Sequence, residues 1–151
     1  MKPARINSPT DILLVEDNPG DARLAQEAFK EGAQPTDVNI VTDGIEAINF
    51  LRQQDNYGNA ARPDLIILDL NLPRKDGRQV LAEIKSDPNL LSIPVIVLTM
   101  SSAEEDIDRC YALHANSYLV KPFEFEEFVR LVREIETFWL AAAKLPPKPV
   151  V

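Results

Sequence analysis

The sequence predicts an α/β domain: a doubly wound five-stranded parallel sheet with helices on both faces. Two observations carry this expectation. Short, continuously apolar runs alternate with stretches of helical periodicity along the whole chain. Those runs also lack the in–out alternation of a half-exposed sheet, as expected of strands covered on both faces. The length agrees, since 151 residues fit one domain of ordinary size.

The elements follow in order. Asp11 to Val15 is the first strand, and Asn18-Pro19 then supplies an N-cap and a proline at the first helical position. The first helix runs to about Glu31, with Leu24, Ala25 and Ala28 inward and Gly32 as its stop. Val38 to Val41 is the second strand; Gly44 opens a helix carrying Ile45, Ile48 and Leu51. Gln53 to Arg62 is a polar surface connection longer than usual. Leu65 to Leu68 is the third strand, followed by a loop and a helix carrying Val80, Leu81 and Ile84. Ile93 to Leu98 is the fourth strand, Ala103 to about His114 the fourth helix, and Tyr118 to Val120 the fifth strand. A final helix runs from Glu124 to about Ala143. The expected division is an N-terminal tail over 1–9, the domain over 10–143 and a proline-rich tail over 144–151.

Composition narrows the function. With 16 Lys plus Arg against 24 Asp plus Glu, the formal charge is −8, which argues against non-specific phosphate-backbone binding. The start has no apolar signal-peptide core, and no run approaches the ~18 apolar residues of a membrane span. A lone Cys110 excludes an internal disulfide and fits a reducing compartment, so a soluble, cytoplasmic protein without nucleic-acid or membrane partners is expected. No effector domain is expected after the last helix.

In such sheets ligands bind outside the carboxyl ends of the strands. Glu16 and Asp17 follow strand 1, Asp69 ends strand 3, Thr99 ends strand 4, and Lys121 follows strand 5. Topology therefore brings three carboxylates, a hydroxyl and an ammonium to one edge. Crowded carboxylates repel, and a hard divalent cation such as Mg²⁺ resolves the repulsion. A carboxylate, Mg²⁺, Lys and a hydroxyl together suit phosphoryl transfer, with an Asp able to act as nucleophile. Singly, each residue has a plainer reading: a turn, an N-cap, acids favouring a helix start. Their conjunction at four strand ends removes it.

At these residues the chain resembles the response-regulator receiver domains of two-component signalling. The resemblance covers about residues 10–143. It rests on Glu16-Asp17, on Leu68-Asp69-Leu70-Asn71-Leu72-Pro73, on Asp76-Gly77, on Leu98-Thr99, and on Tyr118 with Lys121-Pro122-Phe123. It implies a flavodoxin-like fold with strand order 2-1-3-4-5. It also implies that Asp69 accepts a phosphoryl group from a sensor histidine kinase, so that the chain is a signalling protein catalysing only its own phosphorylation and dephosphorylation. Asp17, Asp69 and the backbone carbonyl of Asn71 would bind Mg²⁺, with Glu16 acting mainly through water. Lys121 would pair with the phosphoryl group, held by a cis bond to Pro122, while Thr99 and Tyr118 would switch the surface of helix 4, strand 5 and helix 5. Met100 departs from the small residue common after the Thr, and it is expected to slow hydrolysis of the phosphoryl group.

The last helix is unusually apolar. At 100° per residue Phe125, Phe128, Val129, Val132, Ile135, Trp139 and Leu140 share one face, widened by Leu131 and Phe138, which exceeds the ~100° a helix needs to dock on its own domain. Two readings stay open: burial under the C-terminal tail, or a homodimer seam centred on Phe138, Trp139 and Leu131. The long loop before strand 3, the helix from Arg78 to Lys85 and the ending Phe138-Trp139-Leu140 resemble one receiver subgroup. It contains the single-domain, often dimeric partners of cyanobacterial and other bacterial phytochrome kinases. His114 reads as a surface or C-cap residue and Cys110 as packing against the sheet. Alternatives are a phosphorelay intermediate passing phosphate to a histidine phosphotransfer protein, or an aspartyl-phosphate hydrolase. The hydrolase would need a second acid where Asn71 stands. A nucleotide- or flavin-binding module would need a phosphate-cradling first loop, and Glu16-Asp17-Asn18-Pro19 is acidic instead.

Overall fold

A computed structural model describes residues 8–149; residues 1–7 of the expected N-terminal tail, and 150–151, lie outside the described residues. Five strands, β1 (Thr10–Val15), β2 (Thr36–Val41), β3 (Leu65–Leu68), β4 (Val95–Thr99) and β5 (Ser117–Val120), form one sheet in the order β2-β1-β3-β4-β5. Every pairing is parallel. The helices are α1 (Pro19–Lys30), α2 (Gly44–Leu51), α3 (Gly77–Ser86), α4 (Glu104–Ala112) and α5 (Phe125–Ile135).

Alternate strand residues feed two cores. Leu13, Val15, Ile66, Leu68, Val95 and Val97 pack with α2, α3 and Cys110 of α4. Ile12, Leu14, Leu65, Ile67, Ile96 and Leu98 pack with Ala22, Ala25, Ala28 and Phe29 of α1 and Phe128, Val132 and Ile135 of α5. Central β1, β3 and β4 are thus sealed on both sides, which is why their sequences read as unbroken apolar runs. β2 and β5 are the edges and remain partly exposed.

Polar residues start the helices. Asn18 Oδ1 accepts from Asp21 N–H at 3.0 Å, Asp43 from Glu46 N–H at 2.8 Å, and Asp76 and Gln79 form a capping box. α4 is anchored least: Cys110 is its only fully buried side chain, and its N-cap Ala103 offers no side-chain acceptor. It ends on His114 in the left-handed region (φ 71°), with His114 N–H donating to Tyr111 O and Ala115 N–H to Cys110 O. That pair of bonds is a Schellman motif.

Three local expectations change. Gly32 does not stop α1 by a left-handed turn, since no described glycine has positive φ; a Cβ there would lie 1.8 Å from a Glu136 carboxylate oxygen. The last helix is α-helical only to Ile135 and then π-helical over Glu136–Ala142. Glu136 is buried in the notch beside Gly32, where its carboxylate accepts from Gln34 N–H at 3.3 Å. Finally, no described peptide bond is cis, Lys121–Pro122 included.

Among the described residues, the proline-rich tail does not cover the exposed Phe138 of the last helix. Lys148 instead pairs with Asp11 and, at 3.7 Å, with Asp64, at the amino ends of β1 and β3.

Candidate functional site

The last rungs of the sheet aim the functional side chains. Glu16 N–H donates to Val41 O (3.0 Å), Asp69 N–H to Val15 O (3.1 Å) and Lys121 N–H to Thr99 O (2.7 Å). Each residue thus leaves its strand while its backbone is still held by a neighbouring one. Gly77 lets the following turn close: a Cβ there would stand 2.2 Å from Asp69 O and 2.6 Å from Leu70 Cα. Any larger residue would push on the backbone that carries Asp69.

Carboxylate oxygens of Glu16, Asp17 and Asp69 lie within 4.8 Å of one another. Glu16 and Asp69 are buried and Asp17 is exposed. Lys121, only 6% exposed, reaches into the cluster, with Nζ 2.5 Å from Glu16 Oε1, 2.9 Å from Asp69 Oδ2 and 3.0 Å from Asp21 Oδ2. Asn71 N–H donates to Asp69 Oδ1 (3.2 Å) and Asn18 N–H to Glu16 Oε2 (3.1 Å). Thr99 is fully buried, and its hydroxyl has no hydrogen-bond partner among the described residues.

Burial pushes the Glu16 carboxyl up to about 7 despite the Lys121 ammonium beside it, and Asp69 adds repulsion. Burial also works against the Lys121 charge, but hydrogen bonds to Glu16 and Asp69 outweigh it and hold the ammonium above its ordinary range. The donor set of clustered carboxylate oxygens suits a hard divalent cation. The orphaned Thr99 hydroxyl is a buried donor awaiting an acceptor, as a phosphoryl oxygen would be.

Sequence reading missed two features. Asp21 is the third acceptor of Lys121; its place at N3 of α1, where acids suit the helix dipole, disguised it. The other is a bridge between α3 and α4. Arg78 donates to Asp106 (Nη2–Oδ1 2.6 Å) and to Asp76 (3.0 Å), Ser101 Oγ donates to Asp106 (2.6 Å), and Tyr118 Oη donates to Ser101 O (2.8 Å). Ser101 and Arg78 hold the Asp106 carboxyl below its usual range. Tyr118 therefore packs partly against the core, tied to the loop that follows Thr99. Met100 is 54% exposed on that loop. His114 sits at the far end of α4, away from the site, and Cys110 is buried in the core.

On the last helix, Phe138 is 57% exposed and stacks edge-on with half-buried Trp139 (5.2 Å, 86°), while Leu131 packs partly on the α1–α5 core. No helix among the described residues is long and apolar enough to cross a membrane.

Comparison with known proteins agrees with this geometry. The chain is 50% identical over 140 residues to response regulator Rcp1 of Synechocystis sp., covering 93% of this chain and 95% of that one. Its fold matches the crystal structure of the phosphorylated cyanobacterial phytochrome response regulator RcpA with a TM-score of 0.90 at 53% identity, covering 93% of this chain and all of that one. The Mn²⁺-bound form of Rcp1 matches with a TM-score of 0.89 at 50% identity, covering 92% of this chain and 100% of that one. Rcp1 holds a divalent cation in that structure, the kind of ion that the acidic cluster here suits, and a sensor histidine kinase is the partner of a receiver of this kind. The response regulator receiver domain matches residues 12–133, and the chain belongs to that family of two-component signalling proteins.

Proposed function

We propose that Asp69 is the phosphoacceptor of a response regulator acting in the cytoplasm downstream of a phytochrome-type histidine kinase. The observation that carries the residue assignment is the buried Lys121 ammonium bonded to Asp69 within a cluster of carboxylates, beside a buried Thr99 hydroxyl without a partner. The kinase type rests on likeness to Rcp1 and RcpA. The cytoplasm rests on a free, buried Cys110.

An Asp69 carboxylate oxygen attacks the phosphorus of a phosphohistidine. The new P–O bond forms as the P–N bond breaks, and the departing imidazole nitrogen takes up a proton. Lys121 donates to a phosphoryl oxygen and so compensates its charge, and Thr99 supplies a neutral donor. Asp17, Asp69 and the Asn71 carbonyl would hold Mg²⁺, with Glu16 acting through water, and the ion would supply further charge neutralisation there. As Thr99 engages the phosphoryl group, the loop through Ser101 moves with it. Tyr118, bonded to that loop, carries the change to the surface of α4, β5 and α5. The chain catalyses only its own phosphorylation and dephosphorylation. Its receiver unit is residues 10–143, and 144–151 is a tail. The exposed Phe138, with Trp139 and Leu131, forms a homodimer seam.

The test is incubation with a small phosphodonor and Mg²⁺ followed by intact-mass measurement. The wild type gains one phosphoryl group and Asp69→Asn gains none; equal gain by both proteins defeats the assignment. In the same assay Met100→Ala loses its phosphoryl group faster than wild type, and an unchanged rate rejects a role for Met100.

A further inference from the structure

Three carboxylates surround the Lys121 ammonium: it donates to Asp69 and Asp21 and forms an ion pair with Glu16 at 2.5 Å. Two of these, Glu16 and Asp69, also belong to the cluster of mutually close carboxylates, so a bound cation competes for them. Asp21 stands outside that cluster. It approaches from the first turn of α1, its backbone fixed by the Asn18 cap and its side chain 32% exposed. With all four acids ionised, Glu16, Asp17, Asp21 and Asp69 exceed Lys121 by three negative charges, and a divalent cation still leaves one in excess. A phosphoryl group brings more negative charge to this point.

We propose that Asp21 is a positioning residue that restrains phosphoryl acceptance, by occupying one N–H of Lys121 and placing an uncompensated negative charge beside the incoming group. The inference rests on Asp69 as phosphoacceptor. Two effects of Asp21 oppose each other. As an anchor it helps fix the Lys121 side chain, which favours transfer. As a charge it repels the phosphoryl oxygens and draws on the ammonium that should meet them. Anchoring is already supplied by Glu16 at 2.5 Å and by a stem that is almost fully buried. The repulsion has no such substitute and acts over a few ångströms in a poorly solvated site, so it dominates.

Asp21→Asn separates the two effects, because the amide oxygen still accepts from Lys121 while the charge is gone. With saturating Mg²⁺ and acetyl phosphate at low salt, this variant is phosphorylated about three- to tenfold faster than wild type. The trifluoroberyllate complex tightens in parallel. Its Mg²⁺ affinity moves the other way, falling about two- to threefold, because a cation loses an attractive charge. Higher ionic strength narrows both differences. Asp21→Glu, which keeps the charge, stays within about twofold of wild type if the longer arm still reaches Lys121. A merely structural role would weaken metal and phosphoryl binding together. Asp21→Asn phosphorylated no faster than wild type, or losing affinity for both ligands, overturns the proposal. Failure of wild type itself to take phosphate at Asp69 is a different result: it removes the phosphoacceptor reading and this inference with it.

Discussion

Glu16 sits where burial and charge meet. Its carboxyl titrates near 7 in the fold against 4.5 for the free group, with burial the largest cause. Between those values the folded protein binds more protons than the unfolded chain, so stability falls as pH rises from about 4.5 to about 7 and levels off above. In the presence of a chelator the urea midpoint should decline across that window, by on the order of 2 kcal/mol in stability, and Glu16→Gln should flatten it. Mg²⁺ favours the ionised carboxylate and should flatten it too; a decline that survives both changes would locate the proton elsewhere. Lys121 has the same sense at higher pH, its raised value adding stability that is lost only in strong alkali. His114 carries strain of another kind, with a β-carbon at φ 71° in the Schellman turn that ends α4. His114→Gly should stabilise the protein by about 0.5–1 kcal/mol in urea unfolding, without altering phosphorylation. At this scale the sequence exposed Glu16, Asp17, Asp69, Thr99 and Lys121, because strand ends of a parallel sheet converge and each residue lies within two positions of the end of an apolar run. It concealed Asp21, whose acid looks like an ordinary helix start, and the Arg78–Asp106 pair, whose members are joined only by how α3 and α4 pack.

Helices and strands were legible where pattern and packing agree. The unbroken apolar runs of β1, β3 and β4 mark strands sealed on both faces, and Asn18, Asp43 and Asp76 mark helix starts through their caps. β4 begins at Val95 rather than Ile93, after Pro94, and Asn116 caps it by accepting Val95 N–H at 2.8 Å. The last helix was legible as a helix but not as two kinds of helix. A 3.6-residue wheel places Glu136 inside the apolar arc, between Phe125 and Val129, and the fold accommodates that buried carboxylate in the Gly32 notch. The missing signal lies in a residue more than 100 positions away, the absence of a side chain at Gly32. That pairing is testable by a double-mutant cycle. Gly32→Ala expels the Glu136 carboxylate from its buried contact with Gln34 N–H and should cost about 1–2 kcal/mol. Once Glu136→Ala has removed the obstruction, Gly32→Ala should cost close to nothing, a coupling of about 1–2 kcal/mol in urea unfolding. Additive losses would mean that the notch and the carboxylate are independent.

For the whole molecule the sheet order and the division of helices, α1 and α5 on one face and α2, α3 and α4 on the other, follow from alternate burial along the strands. The surface it leaves uncovered is less evenly distributed. The tail lies at the amino ends of β1 and β3, so nothing described shields Phe138, and the groove along edge strand β5 is lined by Ser117, Leu119, Leu131, Phe138 and Trp139. A second copy offering the same patch would bury an aromatic pair on each side of a two-fold axis. Each protomer carries a formal charge of −8, so long-range repulsion opposes pairing while the apolar seam favours it. The two contributions separate by ionic strength. Added salt screens the repulsion and leaves apolar burial intact, so dimerisation measured by sedimentation should strengthen between about 0.05 and 0.3 M salt. Phe138→Glu should abolish the dimer at every salt concentration while still accepting phosphate at Asp69, since the side chain is exposed and belongs to no part of the acidic site. A wild type that stays monomeric with and without phosphorylation, or a Phe138→Glu variant that still pairs, would move the interface off this helix.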